Sequence, residues 1–198
     1  MGVKEDFLGS SLFSKFAIFV LLAANLFNWI AFCTAEWGIE YNSVDSSIIS
    51  GVRGLWRLCG TGQCVPVDGP GLARDEEGAV ITNYHGVVQA FAIFGFVGIN
   101  VAFLLVILMM FTSKCKRNSD AGMATVIICF FAAVSYLISV IVFAACFNYT
   151  TVDGVRVDDP LKSTGYSLYL AVIAFVLAFV SGALLIVDIK KGGATSPA

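Results

Sequence analysis

Apolar positions in this chain neither alternate nor keep to one helical face; they run on without a charged residue through four blocks, 16–35, 86–113, 121–152 and 163–187. Each Asp, Lys or Arg at a bilayer centre costs about 2.5–3.5 kcal/mol on an insertion scale, so uninterrupted blocks of this kind mark membrane spans. A helix needs about 20 residues to cross the hydrocarbon core, and every block has at least that many. Apolar residues all round each block suit helices whose neighbours are lipid and one another rather than water. The first block follows Lys4 and Lys15 and ends at Cys33, Thr34 and Ala35, which resembles a secretory signal, but its length exceeds the usual apolar core of such a signal. The pattern therefore predicts a single tetraspan domain over 1–198, with spans at about 13–35, 86–112, 121–147 and 165–188 and outer loops at about 36–85 and 148–164.

Composition agrees: 58% hydrophobic and 13% charged residues leave too little polar surface for a water-soluble domain of 198 residues. Charge placement then orients the chain. Lys4, Lys15, Lys114, Lys116, Arg117, Lys190 and Lys191 fall on one side of the spans, and basic residues near span ends favour the cytoplasm. The other side carries Arg53, Arg57, Arg74, Arg156 and Lys162 among a larger number of acids, including Glu36, Glu40, Asp45, Asp68, Asp158 and Asp159. Both termini are expected inside, and the basic face is expected to meet anionic lipid rather than nucleic acid.

Within the large outer loop Trp37, Ile39 and Tyr41 alternate with polar neighbours, as do Leu55 and Arg57 with Trp56 and Leu58, the period of half-buried strands. In the smaller loop Asp153-Gly154 separates two short β-prone runs, a hairpin pattern. Cysteine usage divides by compartment. Cys59 and Cys64 lie outside, where oxidation is permitted, whereas Cys33, Cys129 and Cys146 are in or beside spans and Cys115 is on the basic side, so Cys59–Cys64 is the expected disulfide.

Trp37, Gly54-Leu55-Trp56, Cys59 and Cys64 between the first two spans resemble the signature of the claudin superfamily, which includes the peripheral myelin, epithelial membrane and lens fibre intrinsic proteins and the calcium-channel gamma subunits. The resemblance implies a left-handed four-transmembrane-helix bundle, an all-α membrane fold, carrying a small extracellular antiparallel β-sheet whose neighbouring strands the disulfide joins. Four residues between the cysteines is closer spacing than claudins usually show and is similar to the lens fibre protein. Gln89-Ala90-Phe91 stands where claudins commonly carry Arg-Ala-Leu. The ending Thr195-Ser196-Pro197-Ala198 lacks the aromatic-valine form that docks PDZ scaffolds, so that partner is not expected.

No catalytic constellation is expected: one histidine, His85, no paired acids within the spans and no phosphate-binding glycine loop. The same residues supply no metal or cofactor site. A transporter would normally place ionisable groups inside its spans, and these hold only amides such as Asn25, Asn28, Gln89 and Asn100, read as hydrogen-bonding between helices. Gly95, Gly98, Ala174, Ala178 and Gly182 are small residues for close packing, within one bundle or between molecules. Asp75, Glu76 and Glu77 are either a solvated turn or a cation-attracting group at an opening. Asn148-Tyr149-Thr150 is a glycosylation sequon close to the membrane, and Cys115 among Lys114, Lys116 and Arg117 is a palmitoylation candidate.

Two functions fit the resemblance. One is a plasma-membrane protein of cell–cell junctions whose outer sheet meets itself or related tetraspans in cis and in trans, forming a paracellular barrier or cation-selective path. The other is an auxiliary, gamma-type subunit bound to a channel or receptor pore. The orientation common to both predicts that a cysteine introduced at Arg74 reacts with an impermeant thiol reagent in intact cells, whereas one at Ser119 reacts only after permeabilisation.

Overall fold

The structure, a computed structural model, describes residues 7, 9–60, 62–67, 82–112, 119–152 and 155–194. Four long helices dominate it: α1 (Leu12–Cys33), α2 (Thr82–Phe111), α3 (Ser119–Phe147) and α4 (Tyr166–Ala194). All four are long and apolar enough to cross a membrane. At about 1.5 Å per residue, even α1 extends about 33 Å, enough for the hydrocarbon core. Leu26, Phe94, Phe131 and Phe179 stand exposed on the outer faces, as lipid-facing side chains do.

Each helix packs against its neighbours in a closed ring, α1 against α2 and α4, and α3 against α2 and α4. One buried cluster, including Ala31, Trp37, Leu55, Val88 and Phe143, fills the end nearest the sheet; another, including Leu21, Val106, Cys129 and Leu185, fills the opposite end. The small residues act inside this bundle. A Cβ on Gly98 would lie 2.7 Å from the Cβ of Ala132, one on Gly95 would strike the Tyr136 ring, and Ala174 and Ala178 are fully buried.

Amides supply the polar contacts between helices. Tyr136 on α3 donates its hydroxyl to Asn28 Oδ1 on α1, and Asn28 Nδ2 donates to the Phe96 carbonyl of α2 at 3.3 Å. Asn100 Oδ1 accepts from both Asn25 Nδ2 at 3.4 Å and Trp29 Nε1 at 3.2 Å. Gln89 differs from the expected pattern, because it donates to the loop at Leu55 rather than to a helix. At the end away from the sheet, Ser11 and Ser14 both donate to the Asp188 carboxylate, Ser14 at 2.6 Å, tying the start of α1 to α4.

The sheet is antiparallel, with spatial order β4-β3-β2-β1-β7. Its strands are β1 (Gly38–Tyr41), β2 (Ile49–Arg53), β3 (Arg57–Gly60), β4 (Gln63–Pro66) and β7 (Lys162–Thr164); β5 (Tyr149–Val152) and β6 (Val155–Asp158) form a separate hairpin. Asp153 and Gly154, the expected turn of that hairpin, lie outside the described residues. One sequence expectation is corrected here, and one element is added that the pattern did not predict. Period two does not hold through Leu55 and Trp56, since both turn onto the bundle and β3 begins only at Arg57. The smaller loop also contributes β7 to the sheet of the larger one, pairing Ile39 with Ser163, and a three-residue strand is too short to show a period.

Gly98→Leu should force α2 and α3 apart, with a cost of about 1–3 kcal/mol for overpacking. Gly86→Ala meets nothing within 4 Å and should be neutral or stabilising by about 0.5–1 kcal/mol. Unfolding of each variant in graded SDS measures the contrast.

Candidate functional site

A helix leaves its last four carbonyls without intrahelical donors, and at a membrane interface water satisfies them only in part. At the end of α1 the loop provides the donors. Ile30 O accepts from the Thr34 N–H at 3.0 Å, Ala31 O from Trp37 Nε1 at 2.8 Å, and Phe32 O from Trp56 Nε1 at 3.0 Å. Two signature tryptophans thus close successive carbonyls of one helix. Their rings also pack: Trp37 is fully buried with an edge-to-face contact on Phe143 at 5.5 Å, and Trp56 meets Phe32 edge-to-face at 5.2 Å.

Between the tryptophans, Gly54 passes so close to the chain leaving α1 that a Cβ would lie 2.5 Å from the Ala35 Cα, which is backbone and cannot yield. Leu55 is fully buried, and its carbonyl accepts from Gln89 Nε2 at 2.7 Å and pairs with His85 Nε2 at 2.9 Å. His85 lies at the start of α2, at the mouth of the second span, and is buried there. Across the site, Gly165 N donates to Trp37 O at 2.9 Å and Ser167 N to Glu36 O at 3.0 Å, fastening the start of α4 to the same two residues.

Cys59 and Cys64 face each other across β3 and β4 and are bonded, with Cα atoms 4.0 Å apart. Gly62 closes that hairpin at φ +83°, a left-handed conformation suited to glycine. The bridge confines a loop of about six residues, so its chain-entropy contribution is about 2 kcal/mol.

Arg53 forms a second attachment that sequence reasoning passed over. Its Nη2 lies 3.4 Å from Glu40 Oε1, its Nη1 donates to Tyr84 Oη at 3.3 Å, and its guanidinium lies over the Phe147 ring at 5.8 Å. One strand residue therefore joins β1, α2 and α3. Beyond the spans, the Ser47 side chain and backbone N–H hydrogen-bond Asp45 and hold its carboxyl below the usual value. Partial burial of Asp159 favours its neutral form, but the Leu161 N–H and the Lys162 ammonium outweigh that and keep it low as well.

Asn148 follows α3 directly; its carbonyl accepts from Asp159 N at 2.9 Å and its Oδ1 is buried with no hydrogen-bond partner. Asp75, Glu76, Glu77 and Cys115 lie outside the described residues. Among the described residues no three His, Cys, Asp or Glu side chains converge as metal ligands.

The arrangement anchors an antiparallel sheet to four spans. The model of the PMP-22/EMP/MP20/Claudin family matches residues 7–185. This chain belongs to that family. Epithelial membrane protein 1 of Oryctolagus cuniculus is 27% identical over 179 residues, covering 87% of this chain and 99% of that relative. As a family member with four candidate spans, it is a multi-pass tetraspan membrane protein.

Trp37→Phe and Trp56→Phe keep most of the aromatic area but leave Ala31 O and Phe32 O without their donors. Each should cost about 1–3 kcal/mol, the penalty for an unpaired buried acceptor. Cys59→Ser should cost about 2 kcal/mol. Unfolding in SDS reads the losses, and retained helical circular dichroism separates them from collapse of the bundle.

Proposed function

We propose that this tetraspan is a claudin-like adhesion protein of plasma-membrane cell–cell junctions, with both termini cytoplasmic and its sheet outside, contacting itself or related tetraspans. The carrying observation is the free apolar tip of the sheet. Val44 is 94% exposed and Ile48 is exposed with it on the β1–β2 connection, and Ile49, the first residue of β2, is exposed beside them. Exposed apolar groups that are not in lipid favour a protein contact. Anchorage through Trp37, Leu55, Trp56 and Arg53 supports this reading, since a sheet fixed to the membrane can transmit a lateral or trans contact. A relative named as an epithelial membrane protein is consistent with such a setting.

Within the proposal, Asp75, Glu76 and Glu77 enrich cations near a paracellular opening, because like charges raise local counter-ion concentration. Asn148 and Cys115 are the proposed glycan and acyl acceptors. The single domain, spanning 1–198, acts through its outer loops and needs no catalytic step.

Expressed in epithelial cells lacking such proteins, the chain should concentrate at contacts and change transepithelial resistance. Val44→Lys together with Ile48→Lys should remove it from contacts without reducing its surface amount. Neutralising Asp75, Glu76 and Glu77 should lower cation preference, most clearly at low salt, where the Debye length reaches about 30 Å at 0.01 M. Even distribution over the surface, unchanged resistance and stoichiometric copurification with a channel or receptor would replace this reading with the auxiliary-subunit one.

A further inference from the structure

Where the sheet meets the end of α1 there is a cavity of about 370 Å³. Its lining comes from Phe32, Cys33, Thr34 and Ala35 on the helix end and from Trp56 and Arg57 on the loop. The apolar wall continues outward. Leu22, Leu26, Trp29, Ile30 and Cys33 are all exposed and share one face of α1 by their helical spacing, so a lipid-facing stripe runs along the helix into the cavity. At the other side Arg57 is exposed, and no carboxylate of the described residues forms an ion pair with it.

We infer that this cavity is a phospholipid site, with the lipid phosphate at Arg57 and an acyl chain along Leu22, Leu26, Ile30 and the cavity floor. The inference rests on the membrane-spanning reading, which the labelling at Arg74 and Ser119 tests separately. A guanidinium can hold a phosphate through two parallel N–H donors, which a point charge does not reproduce. The position within the cavity also follows from charge. The carbonyl end of α1 carries partial negative charge and disfavours an anion at the floor, so phosphate belongs at the Arg57 rim and the apolar chain beneath it. Trp56 also lines the cavity, and its Nε1 donates to the Phe32 carbonyl at 3.0 Å, so it presents an apolar ring with its one polar group satisfied, as an interfacial tryptophan does.

Cys33 reports occupancy, because it is an exposed thiol of the lining while Cys129 is buried. The full chain carrying Cys115→Ser and Cys146→Ser is purified in mild detergent, and the maleimide alkylation rate of Cys33 is measured. Dioctanoyl phosphatidylcholine should slow alkylation at least tenfold. Dioctanoylglycerol, which has the same chains without phosphate, and inorganic phosphate alone should each change the rate less than twofold. Arg57→Gln should reduce lipid protection below twofold, and Arg57→Lys should retain an intermediate part. Alkylation of Cys129 would show that a variant had unfolded, and the wild-type comparison of the two lipids then decides. Equal protection by both lipids, protection by phosphate alone, undiminished protection in folded Arg57→Gln, or shielding of Cys33 that grows with protein concentration without lipid would each overturn the inference.

Discussion

A helix that stops at the edge of a membrane presents carbonyls to a region where water is scarce, and the loop that follows must satisfy them or lose stability. In this protein that requirement falls on Ala31 and Phe32, and the donors are the indoles of Trp37 and Trp56. Each indole brings a large apolar ring together with one N–H, the combination needed where one side is dry and the other wet. A phenylalanine would supply only the ring. The spacing of the two tryptophans in sequence therefore reflects a route through space, since the chain must leave α1, form β1 and β2, and return to the same helix end.

Everything above the bundle inherits its placement from this joint. Gly54 allows the return because no side chain fits against Ala35, and Leu55 then delivers its carbonyl to His85 and Gln89 on α2. Glu36 and Trp37 accept from Ser167 and Gly165, so α4 starts from the same point. With Arg53 reaching Tyr84 and Phe147, the sheet is connected to all four helices, while the disulfide acts locally across the β3–β4 hairpin. The bridge secures the hairpin, and the tryptophans secure its position on the bundle.

How much of this could be read from the residues depended on how strongly physics marks them. Spans were legible because one charge near the centre costs kilocalories, and the cysteine pair because compartment limits which thiols oxidise. His85 and Gln89 were not legible as partners of Leu55. Their acceptor is a backbone carbonyl some 30 positions away, and every residue type has a carbonyl. The inward turn of Leu55 and Trp56 imitates a strand for a different reason, since burial against another element can produce the same alternation. β7 escaped notice because three residues contain barely one period.

A polar group inside a membrane protein also has to be judged by what completes it. Asn28 lies between Tyr136 and the Phe96 carbonyl, and Asn100 gathers Asn25 and Trp29, so these amides join α1 to α2 and α3. Neither group contains an Asp, Glu, Lys, Arg or His, and their arrangement favours a fixed scaffold over a transport path. Asp188 fits the same logic at the far end, where the Ser11 and Ser14 hydroxyls share its carboxylate. With both ends and the middle of the bundle fixed by internal donors and acceptors, the apolar side chains that remain exposed among the described residues lie on the outer faces of the helices and at the β1–β2 end of the sheet. Under the proposed adhesion role, a variant that alters Val44 or Ile48 should therefore change contact without changing the fold, whereas one that alters Trp37 should weaken the fold and, through it, contact.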